Sequence, residues 1–304
     1  MKALRILFTL VFVCGRLLAA GDHDSPADIE KLKAEVQKFL GHLKPKQGKV
    51  DLKSGLATAN IPPQFYLLGS DDAEKVLTKL WGNPPGDTKP LGLLYPTNES
   101  LLSTNLWAVV IRYQEDGYVK DTDANSINYD QLLKEMQDGT KAANEERTKK
   151  GYPAIDLVGW AAPPRYDAAT HKMYWAKEIK FGDSDENTLN YNLRVLGRKG
   201  VLTLNVIAAM SRLKDVEEAT PEILAMVDFN DGHRYTDFKP GSDKVATYGI
   251  AALVAGGVAA KMGLFKGLLV ALLAAKKFIV LAVVAAFGFI KKLFTGRRSN
   301  TPEQ

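Results

Sequence analysis

The sequence predicts an α+β protein: an extracytoplasmic domain with a mainly antiparallel sheet and a few amphipathic helices, followed by a C-terminal transmembrane helix or helical hairpin. Three observations carry that expectation. Apolar residues recur at helical spacing in the first half, four β-prone runs divided by turn clusters follow in the second, and both ends of the chain are apolar and basic. A chain of 304 residues that is 46% apolar and 25% charged can bury a sizeable core, which excludes collagen-like, disulfide-stapled and wholly disordered classes.

Residues 1–21 read as a secretory signal peptide. Lys2 and Arg5 precede an apolar run over 6–14, and Ala19 and Gly21 supply the small residues at a cleavage point after Gly21, with cleavage after Ala20 as the neighbouring choice. Arg16, late in the apolar region, keeps an uncleaved anchor open. Cys14 follows the branched Val13 rather than a small residue, which argues against lipid attachment. It is the one cysteine of the sequence, so cleavage leaves a product without thiolate catalysis, cysteine-held zinc or disulfides.

Residues 22–244 are expected to form one extracytoplasmic α+β domain. In residues 27–43, Ile29, Leu32, Val36, Phe39, Leu40 and Leu43 mark one helix face, which ends near Pro45. A second helix over 71–81 carries Ala73, Val76, Leu77 and Leu80 and stops at Gly82-Asn83-Pro84-Pro85. A third covers 129–144, and 221–227 is a shorter one. A strand is expected over 106–113, and four more over 154–161, 173–181, 189–196 and 201–208 form an antiparallel meander with a tight Gly197-Arg198-Lys199-Gly200 connection. In residues 189–196, Leu189, Tyr191, Leu193 and Val195 alternate with Asn190, Asn192 and Arg194, predicting one apolar and one wet face. One domain is the simplest parse, with 141–151 as the place where two lobes would join.

Residues 245–293 are the expected membrane anchor, and 294–304 a basic polar tail. No uninterrupted apolar run reaches the roughly 20 residues of a spanning helix, so any crossing must accommodate lysine. A hairpin would run over 245–273, turn at Lys276-Lys277 and return over 278–290; a single crossing would leave the cluster from Lys291 to Arg298 in the cytoplasm. Gly263 with Gly267, and Ala252 with Gly256, would let helices approach closely, either within one chain or between copies.

Chemical signals are sparse. His23, His42, His171 and His233 stand apart, read as exposed turn or helix-end residues, and no Gly-x-Ser-x-Gly or His-Glu-x-x-His motif occurs. Asp121, Asp123 and Asn125 have the alternating oxygens that open a calcium loop, but Ser126 and Leu132 stand where glycine and a closing glutamate belong. Their alternative use is in Asx turns and a helix cap. Asn190, Asn192, Arg194 and Asn205 would converge on one sheet face to bind a polar ligand; the plainer reading is a solvated face. No cofactor is expected, and nothing suggests a nucleotide or nucleic acid.

Several phrases taken together resemble the bacterial DUF2167 family of membrane-anchored proteins: Val158-Gly159-Trp160-Ala161, Pro163-Pro164-Arg165-Tyr166-Asp167, Tyr174-Trp175-Ala176-Lys177-Glu178, the run from Leu189 to Arg198, and Asp243-Lys244-Val245-Ala246. Trp81-Gly82-Asn83-Pro84-Pro85 and Gly117-Tyr118-Val119 extend the resemblance over most of the chain after about Lys49. It implies an exported domain on a C-terminal membrane anchor in bacteria, expected to be in the inner membrane, and since the family name declares the function unknown it carries over no catalytic residue. The expected function is a non-catalytic binding or assembly module facing the periplasm; the alternatives are an envelope hydrolase using carboxylates and an accessory subunit of a membrane transporter. Expected partners are the lipid bilayer, a membrane or envelope protein, and a second copy through the small-residue helix faces.

The formal charge of +5 belongs to these ends. Residues 1–20 carry +3 and residues 241–304 carry +7, leaving −5 for residues 21–240. An acidic body between two basic apolar ends reports topology and removes the support that a basic total would lend to a nucleic-acid partner.

Overall fold

The computed structural model describes residues 26–255, apart from 84, 85, 87, 104, 150–152 and 183. The expected signal segment, the anchor from 256 onward and the basic tail lie outside the described residues. Those described fall within one unit, and its architecture is mixed α and β with mainly antiparallel strands and few helices.

Five helices and thirteen strands are assigned among the described residues. The helices are α1 (Pro26–Gly41), α2 (Ser70–Lys75, continued by a π-helical turn Val76–Leu80), α3 (Tyr129–Lys149), α4 (Leu213–Met226) and α5 (Ile250–Ala255). The strands are β1 (Pro45–Lys46), β2 (Gly48–Leu52), β3 (Ala57–Ile61), β4 (Phe65–Gly69), β5 (Gly92–Pro96), β6 (Ala108–Gln114), β7 (Tyr118–Lys120), β8 (Ile155–Asp167), β9 (Lys172–Phe181), β10 (Thr188–Leu196), β11 (Val201–Ala209), β12 (Val227–Phe229) and β13 (Val245–Gly249).

The expected meander of β8, β9, β10 and β11 forms half of an eight-stranded antiparallel sheet in the order β1-β4-β5-β6-β11-β10-β9-β8. The β10–β11 connection closes through Gly197 N–H donating to the Gly200 carbonyl at 2.8 Å. Gly197 is required by packing: a Cβ there would stand 2.5 Å from the Phe229 ring. Strand β8 is longer than the sequence suggested and its register slips at three places, next to Pro163 and Pro164 among others.

Successive residues of a strand point to opposite faces. From β10, Leu189, Tyr191, Leu193 and Val195 point toward a small sheet of order β12-β3-β2 and toward α4, burying Val50, Ala59, Ile61, Val216, Ile223 and Phe229 in the main core. The opposite face is covered in two places. At one end, Leu68, Leu93, Ala108 and Val110 receive Ala73, Val76, Leu77 and Leu80 from α2 and its π turn, together with Val36 of α1. At the other end, Met173, Trp175, Leu196 and Val201 receive Tyr235 and the α5 residues Ile250, Leu253 and Val254, while Ile155, Leu157 and Ile179 pack on Leu133 and Met136 of α3.

Four expectations are corrected. The face of β10 read as wet is buried, with Asn190, Asn192 and Arg194 at 9%, 5% and 8% exposure, because β10 is central and both of its faces are covered. Residues 141–149 belong to α3 rather than to a join between lobes; Asn144 fixes them to β8, its amide donating to the Ile155 carbonyl and accepting from the Ile155 N–H, both at 2.8 Å. Helix α4 begins eight residues before Pro221, since Val216, Thr220, Ile223 and Met226 lie along one buried face and packing overrides the proline signal. Finally, residues 245–249 form β13, parallel to β7, so that helix begins at Ile250 rather than at 245.

Among the described residues no helix is long and apolar enough to cross a membrane.

Candidate functional site

Between the two apolar covers, the same sheet face carries a polar stripe. Strand register places Asn190 of β10 beside Lys177 of β9 and Ile207 of β11, and Asn192 beside Trp175 and Asn205. Arg194 stands beside Thr203, whose other neighbour is Arg112 of β6. Thus Asn190, Asn192, Arg194 and Asn205, the four residues singled out from the sequence, share one surface.

Their side chains form a directed ladder. Arg194 donates from Nη1 to Asn205 Oδ1 at 2.8 Å and to its neighbour's Leu193 carbonyl at 2.8 Å, and from Nη2 to Asn192 Oδ1 at 3.2 Å. Asn192 Nδ2 donates to Asn190 Oδ1 at 2.8 Å and to the Asn190 carbonyl at 3.0 Å. The guanidinium lies 4.9 Å from the centre of the Trp175 ring, a cation–π contact. A fixed arginine with neutral acceptors on three sides is a preorganised group, its position set before any ligand arrives.

Burial dominates the electrostatics. It pulls the Arg194 guanidinium down to about 9 and the Lys177 ammonium down to about 8, the latter assisted by repulsion from Arg194. Both remain predominantly charged at neutral pH. Burial also lowers Arg112, partly offset by Glu74, with which it lines a small cleft that also includes Leu77, Val110 and Ile207. Val110 and Ile207 are the register neighbours of Asn205 and Asn190, so the cleft adjoins the stripe.

Sequence reasoning passed over Trp175, Lys177 and Arg112. The signal was present in the period of two through Trp175, Lys177 and Ile179, but using it needed the β9–β10 register, which depends on where the 182–187 turn closes.

Asp121 and Asp123 serve other ends. Asp121 Oδ2 accepts from the Tyr166 hydroxyl at 2.7 Å, and His171 Nδ1 lies 3.1 Å from that hydroxyl and 3.7 Å from the carboxylate. His171 is half-buried and packs on the Tyr235 ring at 4.1 Å, unlike the exposed turn residue expected. Burial first, and then the Asp121 hydrogen bond, raise the Tyr166 hydroxyl far above the usual tyrosine range. Asp123 accepts from the backbone N–H groups of Ile250 at 3.0 Å and Ala251 at 3.1 Å, capping α5. The 121–126 segment is folded into turns, with Ala124 N–H donating to the Asp121 carbonyl and Ser126 N–H to that of Asp123. Asn125 makes no contact that joins it to either carboxylate, and among the described residues no three histidine, cysteine, aspartate or glutamate side chains gather as a metal would require.

Comparison with known proteins gives one decisive match: the model of the family "Protein of unknown function (DUF2167)" covers residues 44–288. The chain belongs to the DUF2167 family. No curated protein matches it. Two solved structures are similar at low level: cyanobacterial PsbP from Synechocystis sp. PCC 6803 (13% identity, TM-score 0.33, 62% of this chain and 92% of that one) and the Saccharomyces cerevisiae Ran-binding protein Mog1p (9% identity, TM-score 0.32, 65% of this chain and 100% of that one).

Proposed function

We propose that this DUF2167 protein is a non-catalytic binding module of the bacterial envelope, exported and held at the inner membrane by its C-terminal segment. The observation that carries the reading is the polar stripe. A buried arginine and three asparagines occupy the sheet between two apolar covers, and leucine or valine there would pack without the cost of desolvating polar groups. Retaining them fits recognition of a polar partner. Asp121, Asp123 and His171 are instead engaged with Tyr166, with the start of α5 and with the Tyr235 ring, which favours binding over hydrolysis at those residues. The charge-divided sequence, with basic apolar ends around an acidic body, supports export and anchoring.

Affinity purification of the tagged, detergent-solubilised chain followed by mass spectrometry tests the module reading. A stoichiometric envelope or membrane protein that is lost in the Arg194→Gln variant is the expected result. Recovery of the same proteins with both variants rejects the stripe as the recognition surface. Reporter fusions after Lys277 and after Arg298 test the topology, and finding the domain itself on the cytoplasmic side excludes an envelope role.

A further inference from the structure

We infer that the stripe is an oxyanion site, built to take a carboxylate or phosphate group between Trp175, Lys177 and Arg194. The inference rests on the binding-module reading and specifies its ligand chemistry.

Asn205 Oδ1 and Asn192 Oδ1 are taken by Arg194, and Asn190 Oδ1 is taken by Asn192. The ladder thereby consumes its own acceptors internally and leaves donors. Asn190 Nδ2 and Asn205 Nδ2 donate to nothing within the ladder, and the Lys177 ammonium has neither a hydrogen bond nor an ion pair among the described residues. Trp175 supplies the strongest sign. Its side chain is 1% exposed, yet its indole N–H meets no acceptor among the described residues. A buried donor left without a partner costs about 1–3 kcal/mol, so native proteins seldom tolerate one without a use for it.

Charge points the same way. Lys177 and Arg194 repel each other, and among the described residues no carboxylate is near enough to offset either. Two cations on one sheet face, with the unpartnered indole N–H of Trp175 on the strand that carries Lys177, form a group of one chemical sign, complementary to an oxygen-rich anion. A cation or a sugar would find too few acceptors. An apolar ligand would leave the two charges desolvated and unpaired. Lys177 and Asn205 retain partial solvent access and mark the approach, whereas Trp175 and Arg194 are buried, so an anion that reaches the indole N–H must displace part of the cover over this face.

The test uses the full chain in detergent with ¹⁵N-labelled tryptophan. Four tryptophans give four indole N–H signals, and Trp175→Phe assigns the relevant one. Sodium phosphate is titrated in one arm and sodium acetate in another, at constant ionic strength with chloride. The expected result is a saturable shift confined to the Trp175 signal in at least one arm, with apparent affinity reduced about tenfold or more in Lys177→Gln, a substitution that removes one of the two charge-assisted contacts. The arm that saturates at lower concentration identifies phosphate or carboxylate as the preferred group. An unmoved Trp175 signal in both arms overturns the inference, and so does an equal drift of all four signals, which is a bulk salt effect. The titration of the unmodified chain decides the matter even if a variant misfolds. Loss of the oxyanion site with retention of an Arg194-dependent protein partner would leave the module reading standing and this inference refuted.

Discussion

Replacing Lys177 by methionine should stabilise the protein in the absence of anions. Burial and Arg194 lower the ammonium from the usual 10.5 to about 8, so the folded state holds that proton less tightly than the unfolded chain does. Below about pH 8 both states are protonated and the full penalty applies; between about 8 and 10.5 the folded state has lost the proton while the unfolded state retains it, and stability rises; above 10.5 neither carries it and the penalty is gone. At ~1.4 kcal/mol per pH unit the fall corresponds to roughly 3 kcal/mol, and partial solvent access reduces this to about 1–3 kcal/mol. Methionine keeps the length and apolar stem of lysine while removing the charge. Urea unfolding of the detergent-solubilised chain, followed by tryptophan fluorescence from pH 6 to 11 in chloride, should give a variant more stable by about 1–3 kcal/mol at pH 7, with the difference closing toward pH 10.5. Phosphate or acetate should stabilise the unmodified chain more than the variant at the same concentration. A variant that is less stable at pH 7, or a difference that does not change with pH, would refute the reasoning that Lys177 is held charged at an energetic cost.

Other positions give independent tests. Asp123→Ala removes the acceptor for two N–H groups of α5 and should cost about 1 kcal/mol, visible as faster hydrogen exchange at Ile250 and Ala251. The Arg198 ion pair, reinforced by the Lys239 N–H, holds the Asp243 carboxyl down to about 2. Its stabilising contribution is present above about pH 4 and lost as pH falls through about 2, so Asp243→Asn should flatten the acid limb of the stability profile in that window; an unchanged limb would contradict it. Gly139→Ala, on an exposed turn of α3 with open space around the added methyl, should stabilise by about 0.5–1 kcal/mol, whereas Gly197→Ala must displace the Phe229 ring and should cost about 1–3 kcal/mol. Thermal unfolding of the pair checks both signs, and equal effects would overturn the packing argument.

Long elements with a clean period were legible in the sequence. The alternation from Leu189 to Val195 gave both the strand and its apolar face, and Ala73, Val76, Leu77 and Leu80 gave the buried side of α2 and its π turn. Strands β2 to β5 escaped notice because five residues such as Gly48-Lys49-Val50-Asp51-Leu52 or Ala57-Thr58-Ala59-Asn60-Ile61 carry too few periods to separate from loop, and their pairing partners supply what the local sequence does not. The site was half legible. Polar residues at alternate positions marked Asn190, Asn192 and Arg194, but alternation ordinarily means solvent, and burial on the second face follows from α2, α3 and α5 docking there, a tertiary fact. Lys177 and Trp175 join them through the neighbouring strand alone.

The two ends of the large sheet bear on how such a module can meet a protein partner. Extending a sheet by an incoming strand requires several consecutive free backbone groups in even register. Strand β1 offers two residues, and β8 offers thirteen whose spacing is broken by three register shifts and whose Pro163 and Pro164 lack N–H donors. Neither border can template a neighbour over a useful length. Association at these two borders is therefore directed to side-chain surfaces, where specificity is written residue by residue rather than through the backbone.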